Sequence, residues 1–135
     1  VKTLQPANWA RPRGYSNGIA AHGTQVFVAG QIGWNADCQF ESDDFVAQVR
    51  QALSNVVAVL REAGAGPEHL TRMTWYVTSK HEYLARGREV GAVYRELLRG
   101  PDGAVAYPAM TAVEVSALME DRAVVEIECT AVVPS

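Results

Sequence analysis

Between residues 43 and 63, Val46, Val49, Leu53, Val56 and Leu60 recur at steps of three and four. That spacing puts them on one side of a helical cylinder, with Gln48, Arg50, Gln51, Asn55 and Arg61 elsewhere around it. Ser42 or Asp43 is placed to cap the start, and Gly64 to end the helix in a left-handed conformation. A helix with one apolar stripe has to lay that stripe on another apolar surface, so the rest of the chain must supply one.

Strands supply it. In "RAVVEIECTAVV", residues 122–133, Val125, Ile127, Cys129 and Ala131 alternate with Glu126 and Glu128. A strand there has one apolar face and puts both acids on the other. "LTRMTWYVT" shows the same alternation, Met73, Trp75 and Val77 against Arg72, Thr74 and Tyr76. "YSNGIAAHGTQVFVAGQI" reads as a hairpin, with strands near 16–21 and 25–32 joined at His22-Gly23-Thr24. "TAVEVSAL" reads as another strand. A second helix is expected from Ser79, an N-cap with Glu82 three residues on, to about Arg99, stopped by Gly100-Pro101. Gly87 and Gly91 stand four apart inside it, each costing up to about 1 kcal/mol of helix propensity relative to Ala. The expected reason is close approach of that helix to a sheet or another chain. Residues 1–14, broken by Pro6, Pro12 and Gly14, are expected to be irregular. The order β-β-α-β-α-β-β without linker or repeat predicts one α+β domain over 1–135, a mixed sheet with two helices packed on one face.

Of the 135 residues 48% are hydrophobic and 20% charged, the balance of a chain that builds its own core. The net charge of −3, spread without runs of one sign, argues against nucleic acid or an anionic membrane as partner. No stretch approaches 18 apolar residues and no signal-peptide pattern opens the chain. Cys38 and Cys129 leave a disulfide open, but two cysteines in such a chain fit a reducing cytoplasm better. His22, His69 and His81 have no spacing with Cys, Asp or Glu that a metal site would need. Nucleotide-binding glycine loops and a nucleophile elbow are absent too. Chemistry without cofactor or metal, or plain binding, is the expectation.

Polar or special residues collect at strand ends: Gly14-Tyr15-Ser16, Gly30-Gln31-Ile32, Pro108-Ala109-Met110-Thr111 and Glu126-Ile127-Glu128. With "GYSNGI…VFVAGQIG", "QVRQALSNVVAVLREAG", "LTRMTWYVT" and "YPAMTAVEVSAL…AVVEIECTAVV" in this order, residues 14–133 resemble the RidA (YjgF) family. Its members were earlier labelled translation inhibitors or L-PSP endoribonucleases. The resemblance implies a chorismate-mutase-like fold, a homotrimer, and a cleft between neighbouring subunits. In that cleft reactive enamines or imines such as 2-aminoacrylate are hydrolysed to 2-oxo acids and ammonia. Carried over by position, Tyr15, Gly30 and Gln31 match cleft residues, and Glu126 matches the acid that serves the proton transfers.

At the family's carboxylate-binding arginine this sequence has Met110. A thioether has neither the fixed charge nor the donors of a guanidinium. Either Arg13 or Arg11 supplies the charge from another direction, or the substrate carries no carboxylate there and meets an apolar wall. Trp34 adds apolar character if its loop folds over the cleft. Three functions follow: an imine or enamine deaminase acting on something other than 2-aminoacrylate, a non-catalytic metabolite-binding trimer, and, prompted only by the old label, RNA cleavage. The acidic balance and the lack of a His pair argue against the last.

Overall fold

The computed structural model describes residues 1–135. Its main sheet has the order β3-β6-β4-β5. The strands are β3 (Thr24–Ile32), β4 (Leu70–Val77), β5 (Ala109–Glu114) and β6 (Val125–Val133), with β6 antiparallel to both neighbours and β4 parallel to β5. Helices α1 (Phe45–Glu62), α2 (Lys80–Ala85) and α3 (Gly87–Leu97) complete the fold, α1 lying across β3 and β6 with α3 beside it. This is the two-layer α+β arrangement expected from the alternation. No helix is long and apolar enough to cross a membrane.

The alternation also places the core. Val49, Leu53, Val56 and Leu60 from α1 meet Met73, Trp75 and Val77 from β4 and Val125, Ile127, Cys129 and Ala131 from β6. Each fully buried Val or Leu contributes about 1.5–3 kcal/mol relative to leaving it exposed, so this interface holds the two layers together. Asp44, rather than Ser42 or Asp43, is the cap of α1: its carboxylate accepts from Ala47 N at 3.0 Å, while the Ser42 hydroxyl accepts from Asp44 N. Gly64 takes φ +68, as a helix end requires.

Four expectations are corrected. The two strands of the expected hairpin do not pair: β2 (Gly18–Ala20) runs against β1 (Lys2–Leu4), and β3 runs against β6. The apolar alternation of β3 is better satisfied by the longer β6 than by three residues of β2. Residues 1–14 are therefore not wholly irregular; a three-residue strand is too short to show a period. The second helix is split. Ser79 caps it as expected, accepting from Glu82 N, but α2 stops at Ala85 and α3 starts at Gly87. Arg86 sits at the break and pairs with Asp44 at 2.5 Å and Glu89 at 2.8 Å, tying the junction to the cap of α1. Chiefly through that contact, the Arg86 guanidinium holds the Asp44 carboxyl below its usual value. Finally β5 begins two residues before the predicted strand and ends at Glu114, because it follows β4 in register from Arg72↔Ala109 onward.

One polar side chain is wholly buried. Gln48 on α1 donates to Ser42 O (3.1 Å) and Arg122 O (2.9 Å) and accepts from Val124 N (3.0 Å), holding the entry to β6. A Cβ on Gly33 would lie 2.6 Å from the Gln48 Cβ, so the turn after β3 is closed onto the same side chain. Gln48→Leu, which strands these backbone groups, is expected to cost about 2–4 kcal/mol in urea unfolding, since an unsatisfied buried group costs ~1–3 kcal/mol.

Candidate functional site

Glu126 stands where β6 passes between Ile32 of β3 and Tyr76 of β4. The neighbouring strand is bulged at this level. Val28 pairs with Cys129 and Gln31 with Ile127, so Ala29 and Gly30 together oppose Glu128 alone. The extra residue brings the Gly30 backbone up against the acid: a Cβ there would lie 2.0 Å from Glu126 Oε2. Only glycine leaves that space to the carboxylate.

The two acids of the strand have different surroundings. Glu128 accepts a 2.7 Å hydrogen bond from the Tyr76 hydroxyl, and that bond, foremost, raises the Tyr76 pKa. Glu126 has no hydrogen-bond or ion-pair partner within the chain and is half-buried. One acid is thus tied into the sheet surface and the other is available. Gln31, although beside the site, spends its side-chain amide on Ala29 O at 3.2 Å.

Met110, Tyr15 and Arg13 are brought together elsewhere. The segment around Tyr15 lies along the start of β5, held by Ser16 N donating to Pro108 O (3.0 Å) and Ser16 Oγ donating to Tyr107 O (2.6 Å). Met110 is in register with buried Met73, so its side chain is on the helix side of the sheet, packed against the core. Tyr15, Arg13 and Met110 line a cavity of about 380 Å³ with Trp75, Tyr83, Tyr94, Tyr107, Ala112 and one face of α3. Arg11 and Trp34 do not line it; Trp34 turns to Phe40, their rings 5.9 Å apart. Glu126, Gly30 and Gln31 do not line it either: β6 and β3 lie beyond the intervening β4, and Glu126 is on the opposite face. Within one chain the predicted site residues therefore form two separate groups.

The aromatic wall is closely organised. Tyr94 and Tyr107 stack at 5.5 Å with rings 9° apart, Trp75 meets Tyr83 edge-on at 6.0 Å, and the Tyr94 hydroxyl donates to Ala106 O. Burial raises the pKa of the Tyr83 and Tyr94 hydroxyls above the ordinary tyrosine value. Arg95, which the sequence reading passed over, also lines this cavity. Its only signal was a place four residues after Gly91.

The family profile described as Endoribonuclease L-PSP matches residues 8–133. The chain belongs to the RidA (YjgF) family. A RutC family protein of Synechocystis is 36% identical, with 100% of this chain and 98% of that protein covered. The 2-iminobutanoate/2-iminopropanoate deaminase of Salmonella typhimurium is 30% identical over 82% of this chain and 80% of its own length. Among solved structures, the Rid family protein YyfB of Yersinia pestis matches with TM-score 0.80 at 29% identity, covering 98% of both chains. E. coli TdcF with bound serine matches with TM-score 0.68 at 27% identity, covering 98% of this chain and 99% of that one. The RidA-like fold expected from the sequence is thereby found.

Two outcomes are expected from this geometry. Gly30→Ala puts its methyl onto the end of a flexible side chain, so the Glu126 carboxylate swings away while stability changes by about 1 kcal/mol or less; carboxyl ¹³C NMR of Glu126 with urea unfolding checks both. Cys38 is exposed and Cys129 buried, its pKa pushed up to about 12 mainly by desolvation. At pH 8 only about one Cys129 in ten thousand is thiolate. An aromatic disulfide reagent should therefore titrate one thiol per folded chain, and the second only on unfolding.

Proposed function

We propose that this chain is a hydrolytic deaminase of a reactive imine or enamine, working as a homotrimer in clefts between subunits. The observation that carries the reading is the Glu126 carboxylate, partnerless and seated over Gly30 on a bulge. A carboxylate so placed is free to move protons for a bound water. The Salmonella relative, a deaminase of 2-iminobutanoate and 2-iminopropanoate, lends the reaction class.

An enamine substrate first tautomerises to the imine, gaining a proton on carbon and losing one from nitrogen. Water then adds to the C=N carbon, and its proton passes by way of Glu126 to the nitrogen. The carbinolamine collapses as its hydroxyl proton passes, again by way of Glu126, to the amine nitrogen and the C–N bond breaks, leaving a carbonyl compound and ammonia. One water is consumed and no redox change occurs.

An assembly of copies is supported by the separation of the two groups. A second chain that sets its Glu126, Gly30 and Gln31 opposite the Tyr15–Met110 cavity completes a site that one chain leaves divided. The open face of the sheet also carries Phe27, 73% exposed, and Val113, apolar surface that an assembly covers. The unpaired thiols of Cys38 and Cys129 suit a reducing compartment such as the cytoplasm.

Imines generated in situ by an amino acid oxidase provide the assay. Glu126→Gln should lower ammonia release by about 10²–10⁴-fold, the usual worth of a positioned acid–base group, with unfolding unchanged. Equal rates for wild type and variant would end the catalytic reading in favour of a metabolite-binding trimer, the alternative that Met110 motivates.

A further inference from the structure

The cavity beside Met110 has a chemistry of its own. Its walls are aromatic and aliphatic: Trp75, Tyr83, Tyr94, Tyr107, Val90 and Met110. At about 380 Å³ it falls within the ~300–1,000 Å³ typical of small-molecule sites. Its size depends on two residues that a helix would not otherwise choose. Nothing lies within 4 Å of a Cβ built on Gly87, and one built on Gly91 meets only the end of the Arg95 side chain, at 3.0 Å. Within the chain these glycines therefore do not serve close packing of the helix on the sheet; they leave the α3 side of the cavity empty.

Polar groups at the cavity point to the occupant. Arg13 and Arg95 both line it, neither belongs to any ion pair of the chain, and no Asp or Glu lines it. Two uncompensated guanidiniums favour an anion, above all a carboxylate, which matches their fork. The indole N–H of Trp75 is a buried side-chain donor without a partner, on a residue only 2% exposed that forms part of the wall. A buried donor left unpaired calls for an explanation, and a ligand acceptor is one.

We infer that this cavity binds a carboxylate carrying a bulky, preferably aromatic, side chain. The ring packs among Trp75, Tyr94 and Met110 in the space opened by Gly87 and Gly91, while the carboxylate faces Arg13 and Arg95. Resting on the deaminase reading, this makes the substrate a 2-imino acid with a large apolar side chain, not one of the smallest imino acids. Met110, in the place of a carboxylate-binding arginine, then serves as apolar wall, and the anion is held by Arg95 of α3 and Arg13 of the N-terminal segment.

The product-like acids phenylpyruvate and pyruvate, titrated into the full chain by calorimetry, test this without turnover. Phenylpyruvate should bind about tenfold or more tightly than pyruvate, the discrimination that several buried carbons confer. Gly87→Phe and, independently, Gly91→Leu, each verified as folded by thermal unfolding, should abolish that preference by filling the space. Arg95→Gln should weaken both acids by roughly tenfold, as loss of one charged hydrogen bond predicts. The inference is overturned if phenylpyruvate fails to bind at millimolar concentration, if pyruvate binds equally well, or if both filled variants keep the preference. Binding preference without hydrolysis of any imine would retire the deaminase reading and leave the pocket standing. Hydrolysis without preference would do the reverse.

Discussion

Strand β6 is hydrogen-bonded on both sides, and the rest of the fold depends on that position. Its inward residues, Val125, Ile127, Cys129 and Ala131, form the floor on which α1 rests, so the strand cannot slip by one residue without turning four core side chains to the open face. Gln48 guards the register at its start by hydrogen-bonding Val124 N and Arg122 O from the helix layer. With the register fixed, Glu126 and Glu128 have only the open face available.

The bulge in β3 gives this constraint its local consequence. Two residues opposite Glu128 displace the β3 backbone at the level where Gly30 meets the Glu126 carboxylate. Tyr76 draws the other acid into the sheet surface. Two glutamates on one face of one strand thus acquire different chemical prospects from their neighbours, one donor in one case and a missing side chain in the other. Across the sheet, α3 shapes a second environment, aromatic and basic, between itself and β5. The proposed function asks these two environments to meet between copies, and the sheet order keeps them apart within one.

Much of the fold was legible in periodicity. The stripe of α1, the alternation of β4 and β6, the Ser79 cap and the left-handed Gly64 are all carried by residues close together in sequence. The misreadings concern pairing. The hairpin at His22-Gly23 was a reasonable local expectation, yet β3 gains more from β6, about a hundred residues away in the chain, than from a three-residue neighbour. The break at Arg86 was hidden because the apolar spacing runs across it, and its anchor, Asp44, lies on another helix.

For the candidate site the division is similar. Glu126, Gly30, Gln31, Tyr15 and Met110 were recognisable as special residues at strand ends, and the resemblance to a family assigned them to one cleft. Sequence alone determined which side chains exist to do chemistry, which faces are apolar, and that the arginine position holds Met110. Tertiary structure decided that Arg13 and Arg95 line one cavity with Met110, that Gly87 and Gly91 border open space within the chain, and that Glu126 stands free over Gly30. The reason is physical: periodicity reports the environment of one element along its own axis, whereas a cavity or a freed carboxylate exists only where several elements are held at fixed distances.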